Sequence, residues 1–131
     1  MGSGISGQPP NGGVSGDRFG VERRTDSGTL ILVLAGELDH DTAEPLRAAL
    51  GDAVRERPER ILVDCAELRF CDSTGLNVLL RARLEAQESG GRLDLASLRP
   101  PVARMFDITG ASTVFRVYGT VDAALADEPP S

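Results

Sequence analysis

The chain has 131 residues with 20 acidic and 14 basic side chains, no lysine, and a formal net charge of −6. That length suits one domain around one core, and an acidic surface argues against binding nucleic-acid phosphates or an anionic membrane, so a protein partner is expected. A single-domain length points to a monomeric module, and since no apolar run approaches the roughly 20 residues that span a bilayer and the N-terminus has neither a charged leader nor an apolar signal segment, a cytoplasmic location is expected.

Residues 1–16 are rich in Gly, Ser and Pro and bury too little apolar surface to offset chain entropy, so a disordered tail is predicted, with residues 17–127 as the domain and 128–131 as a second loose end. Phe19 to Arg24 alternates, the cluster Thr25-Asp26-Ser27-Gly28 is a turn, and Leu30 to Leu34 is a continuous apolar run. These predict a hairpin whose second strand is buried on both faces. Ala35 to Thr42 reads as a polar loop into a helix starting at Thr42, with Ala43, Leu46, Leu50, Ala53 and Val54 on its apolar stripe. With Thr42 as N-cap, Pro45 falls at the third helical position, where its missing amide has no intrahelical partner.

A strand is predicted over Arg60 to Cys65, then a turn at Asp72-Ser73 and a helix to about Glu88 with Leu76, Leu79, Leu80 and Leu84 buried. Arg81, Arg83, Glu85 and Glu88 read as its solvated side, and Gly90-Gly91 as its end. Arg92 to Leu98 predicts a strand, Pro100-Pro101 the start of a shorter helix carrying Val102, Met105 and Phe106, and Gly110 its stop. Val114 to Tyr118 and a helix with Val121, Ala124 and Leu125 complete the domain. The alternation from residue 29 onward predicts an α/β fold: a mixed, mostly parallel β-sheet with an N-terminal hairpin, about four helices and right-handed crossovers.

The clearest functional signal is Arg69-Phe70-Cys71-Asp72-Ser73-Thr74-Gly75-Leu76, a strand-to-helix turn. Asp72, Ser73 and Thr74 carry short side-chain oxygens suited to the unpaired amides of a first helical turn, and Gly75 permits a close approach. Simple capping accounts for such residues, yet a hydroxyl at a positive helix end also suits a regulatory phosphate. In a mostly parallel sheet, Glu37-Leu38-Asp39-His40-Asp41 and Asp72-Ser73-Thr74 both leave carboxyl ends of strands, so they are expected to form one acidic patch around Ser73. Cys65 and Cys71 with a single histidine match no zinc site or disulfide framework. Cys65 reads as a small strand residue, while Cys71, two positions before Ser73, leaves a redox influence on the turn conceivable. A Ser73, His40 and aspartate triad lacks a Gly-x-Ser-x-Gly elbow, and no Gly-rich phosphate-binding motif follows a strand. The expectation is a binding module, not an enzyme, without cofactor or metal.

Gly36-Glu37-Leu38-Asp39-His40-Asp41-Thr42-Ala43-Glu44, Phe70-Cys71-Asp72-Ser73-Thr74-Gly75-Leu76 and Val102-Ala103-Arg104-Met105-Phe106-Asp107-Ile108-Thr109-Gly110 together resemble the anti-sigma-factor antagonists, the single-domain STAS proteins. The resemblance runs from about Phe19 to Asp127. It implies a partner-switching regulator that binds an anti-sigma factor with a GHKL-type ATPase fold and serine kinase activity, releases a sigma factor, and is inactivated when that partner phosphorylates the turn serine. By motif the phosphoacceptor is Ser73, and Glu37, Asp39, Asp72, Thr74 and Gly75 form the partner-binding set, Asp39 and Asp72 being the acids beside the phosphosite. A metal-dependent serine phosphatase would reset the switch. The chain has Thr74 where the nearest pattern has serine, making Thr74 a competing acceptor, and Asn77 where members often have glycine. The alternative is a constitutive STAS scaffold in which Ser73 only caps its helix.

Overall fold

The computed structural model describes residues 18–127, so the tails expected at 1–16 and 128–131 lie outside the described residues. The elements are β1 (Phe19–Asp26), β2 (Thr29–Leu38), α1 (Ala43–Arg55), β3 (Arg60–Cys71), α2 (Ser73–Glu88), β4 (Arg92–Ala96), α3 (Pro100–Thr109), a 3-10 turn (Ala111–Thr113), β5 (Val117–Tyr118) and α4 (Val121–Ala126). The strands stand in chain order in one five-stranded sheet. β1 runs antiparallel to β2, and β2, β3, β4 and β5 are parallel to their neighbours.

The hairpin closes through Ser27 and Gly28, both at positive φ and flanked by the Asp26–Thr29 pair, as in a type I′ turn. Alternate residues of β2 then face opposite ways. Leu30, Leu32 and Leu34 join Leu46, Leu50, Leu79, Val102 and Phe106 in a core beneath α1, α2 and α3. Ile31 joins Leu62, Ala96 and Ala124 in a smaller core beneath α4. Both faces of β2 are therefore buried, as its unbroken apolar run predicts.

Four boundaries differ from the sequence reading. β2 continues to Leu38 and β3 to Cys71, so the loops expected after Ala35 and Cys65 are strand. Two bulges conceal this: one extra β3 residue sits opposite Val33–Ala35 and another opposite Gly36–Glu37. They spread the inward residues Cys65, Leu68 and Cys71 to every third position, which breaks the alternation that marks a strand. β4 stops at Ala96 because Ser97 turns to φ 64. The segment expected as strand from Val114 pairs only at Val117 and Tyr118, since the 3-10 turn carries Phe115 onto Phe106, ring centroids 5.8 Å apart. Finally, Leu84 is 55 % exposed and Leu80 only half-buried; α2 instead buries Leu76, Val78, Leu79, Ala82 and Ala86, the two alanines being small enough to let the helix lie close to its neighbours.

At the amino edge of the parallel strands, Arg60 and Asp94, with side chains only 7 % and 6 % exposed, pair at 2.9 Å. Arg92 Nε lies 2.9 Å from the same Asp94 oxygen. Arg60 also donates to the Ala124 carbonyl at 2.6 Å and stands 5.3 Å from the Tyr118 ring, tying α4 to the sheet.

Candidate functional site

The carboxyl edge of β2 and β3 brings the two turns together. Leu38 pairs with Cys71 as the last rung of the ladder, and the Asp72 amide donates to the Leu38 carbonyl at 3.0 Å. Asp39 and Asp72 are thus each the next residue after a paired position.

Asp72 sits in an extended conformation before α2, and its carboxylate accepts from the Gly75 amide at 3.1 Å. It is the N-cap. Ser73 follows as the first helical residue and is exposed, while Thr74 is half-buried. Gly75 faces inward: a Cβ there would lie 2.6 Å from Leu38 Cγ and 3.1 Å from Cys71 Sγ. Gly75, which the resemblance places in the partner-binding set, is buried here and packs against Leu38.

The neighbouring turn is stapled from within. The Thr42 hydroxyl donates to the Glu37 carbonyl at 2.8 Å and accepts from the Asp39 amide at 2.9 Å. Thr42 precedes α1 as expected, but its side chain caps no α1 amide and instead fixes the turn. The Asp39 carboxylate accepts from the amides of Asp41, at 2.9 Å, and Thr42, at 3.1 Å, and pairs with Arg18. Burial disfavours its charge, yet the Asp41 amide, Thr42 and Arg18 together outweigh burial and hold its carboxyl below the usual range. Glu37 is exposed, with Arg18 Nε 3.9 Å away. His40 turns to solvent against Asp41 at 3.3 Å.

Arg18 escaped the sequence reading, and Phe70, though part of the turn motif, was given no role there. Arg18 precedes β1, and its carbonyl crosses Gly36 so closely that a Cβ there would sit 1.9 Å from it. Gly36 at φ 103 permits that crossing and sets Arg18 over Asp39. An isolated arginine beside a Gly-rich stretch carries no signal for this, although Gly36 in a strand-like run does hint at a close approach. Phe70 lies opposite Glu37 and is 48 % exposed.

The two cysteines are buried. Burial and then the nearby Asp72 charge push the Cys71 thiol up to about 12, and burial pushes Cys65 higher still, so neither is a thiolate at neutral pH. Among the described residues there is no group of three His, Cys, Asp or Glu able to hold a metal, and no helix long and apolar enough to cross a membrane.

The mixed sheet with its hairpin and an exposed serine at a strand-to-helix turn defines a STAS domain. The family described as "Mlab, STAS domain" matches residues 21–122. A curated relative, the anti-sigma F factor antagonist of Paenibacillus polymyxa, is 32 % identical over 82 % of this chain and 92 % of its own. The chain belongs to the STAS family and, within it, to the anti-sigma factor antagonists. An anti-sigma factor antagonist from Mycobacterium paratuberculosis superposes with a TM-score of 0.77 at 27 % identity, covering 83 % of this chain and 92 % of that one. The unphosphorylated form of the antagonist SpoIIAA gives 0.70 at 26 %, covering 81 % and 93 %. The phosphorylated form of the same Bacillus cell fate determinant gives 0.63 at 27 %, covering 82 % and 96 %.

Proposed function

We propose that this chain antagonises an anti-sigma factor in the cytoplasm, as a non-enzymatic monomer whose docking surface is switched off by phosphorylation of Ser73. The partner is an anti-sigma factor with serine kinase activity, and binding it releases a sigma factor. A metal-dependent serine phosphatase removes the phosphate. Glu37, Asp39, Asp72 and Thr74 line the docking surface, and Thr74 is the competing acceptor.

The observation that carries this reading is a division of roles at one turn: Asp72 supplies the helix cap and Ser73 stands exposed beside it. A serine serving only as a cap would occupy the position Asp72 holds. Phosphate adds a charge of about −1.5 to −2 and three acceptor oxygens at the positive end of α2. The chain itself tolerates that charge. A partner already matched to Glu37, Asp39 and Asp72 does not, because the added dianion must be desolvated among like charges at the interface.

The test is incubation with ATP and each GHKL-type anti-sigma kinase encoded in the same genome, followed by mass spectrometry to locate phosphate and titration to measure binding. Phosphate is expected on Ser73, with binding weakened about a hundredfold or more. Ser73→Ala should bind and resist inactivation. Ser73→Asp binding as tightly as the unmodified chain would exclude the charge mechanism, and phosphate on Thr74 alone would move the acceptor.

A further inference from the structure

We infer that Phe70 is the apolar anchor of the docking surface, received by a hydrophobic cleft on the anti-sigma kinase that is bordered by arginine or lysine. The inference rests on the reading above and adds the residue that supplies most of the contact.

Phe70 occupies a position where a β-strand residue alternates away from the core: its neighbour Cys71 is 4 % exposed and packed inward, while Phe70 is 48 % exposed. It lies directly across from Glu37 in the ladder and three residues before Ser73. Neighbouring strands lie about 4.8 Å apart, so these two residues are adjacent on one side of the sheet. Phe70, Glu37, Asp39, Asp72 and Ser73 therefore gather at one edge of the sheet, with the acidic Glu37 directly beside the ring. The bulge opposite Gly36–Glu37 sets this arrangement, since the extra residue shifts which β3 side chains face outward.

Among the described residues, the other large exposed apolar side chains lie elsewhere. Leu84 is three turns along α2 from Ser73, Ile108 lies at the end of α3, Val114 just after the 3-10 turn, and Val117 in β5. Phe70 alone among them shares an edge with the phosphosite. Exposed aromatic residues ringed by polar groups are the usual centres of binding energy at interfaces, and the surrounding contacts exclude water.

Charge selects the occupant. A second copy of this chain would meet the patch isologously, setting Glu37, Asp39 and Asp72 against the same three acids. Arg18 offsets part of that charge but is already engaged by Asp39 and Glu37. A partner that inserts an apolar cleft between basic side chains satisfies both the ring and its border. This also explains how one phosphate could act: with Phe70 seated, Ser73 is drawn into a desolvated border where added charge is least tolerated.

The experiment titrates wild type, Phe70→Ala, Phe70→Leu, Ile108→Ala and Ser73→Asp against each ADP-loaded GHKL-type anti-sigma kinase of the same genome, with thermal melts and sedimentation of every variant. Phe70→Ala should weaken binding at least about thirtyfold, Phe70→Leu clearly less, and Ile108→Ala not at all. Melting temperatures should stay close to wild type because the ring is not part of either core. Phe70→Ala binding within threefold of wild type while Ser73→Asp fails to bind would overturn the anchor and leave the switch standing. The reverse pattern would overturn the switch and leave the anchor. A wild-type dimer dissolved by Phe70→Ala would make the patch a homotypic contact, and absence of binding to every kinase would sink both.

Discussion

Replacing Gly75 with alanine sets two effects of known size against each other. In an exposed helix interior the change gains up to about 1 kcal/mol of helix propensity. Here the new methyl would stand 2.6 Å from Leu38 Cγ and 2.7 Å from Leu38 Cδ2, about 1 Å inside ordinary carbon contact. Leu38 is wholly buried and its Cγ is a branch point, so it cannot swing aside as a side-chain tip could. Overpacking of this kind costs about 1–3 kcal/mol. Position three of a helix collects little of the propensity gain, so Gly75→Ala should lose about 1–2 kcal/mol, a fall in Tm of roughly 4–10 °C. Urea unfolding and calorimetry read this directly. Leu38→Ala destabilises by itself, but combined with Gly75→Ala the loss should fall short of the sum by about 1 kcal/mol, because the two share one space. A Gly75→Ala chain as stable as wild type, with additive double-variant behaviour, would show that α2 does not pack on Leu38 in this way.

Three further outcomes follow from the same geometry. Asp72→Ala should cost about 1 kcal/mol through the lost cap, whereas Ser73→Ala should stay within about 0.5 kcal/mol of wild type; equal losses in urea would return the capping role to Ser73. Asp39 has a lowered carboxyl value, so its contribution is present above the unfolded value and is lost as pH falls through the folded one. Asp39→Asn should therefore show a shallower decline in stability below about pH 4 than wild type, and superimposable pH profiles would refute the assignment. Asp94→Ala removes the shared carboxylate from Arg60 and Arg92 and should cost about 3–5 kcal/mol in denaturant unfolding; a loss under about 1 kcal/mol would mean that the network is solvated.

What was legible in the residues was whatever a local period or a turn signal records. The hairpin, α1, α2 and α3 announce themselves through Ser27-Gly28, the Leu46 and Leu50 spacing, the Asp72-Ser73 turn, and Pro100 with Gly110. The meeting of the two turns was legible too, because parallel topology alone sends both to one edge. Arg18 over Asp39 was not, since it depends on the hairpin register and on the space Gly36 leaves. Neither was Asp72 rather than Ser73 as the cap, because consecutive short polar residues are interchangeable on paper and only the backbone entering α2 selects between them. Arg60 with Asp94 was hidden for a similar reason: their 34-residue separation is closed by the register of β3 and β4 alone.

The extended β3 shows how the site depends on something that looks like a defect. Counting inward positions from Val63 by twos reaches Cys65 and Cys71 but leaves Leu68 facing out. The first bulge turns Leu68 inward and the second restores the original parity, so Cys71 again faces the core and Phe70 faces away. A single bulge would leave Cys71 outward, and the chain would enter α2 with the opposite side facing the sheet. Gly75 could then no longer pack on Leu38, nor Ser73 be exposed beside Asp39. Ser73 is thus presented by two compensating insertions in a strand. Deleting one residue between Asp64 and Cys71 should abolish binding to the proposed anti-sigma kinase far more completely than any substitution at the surface, because it reverses which face of the turn a partner meets.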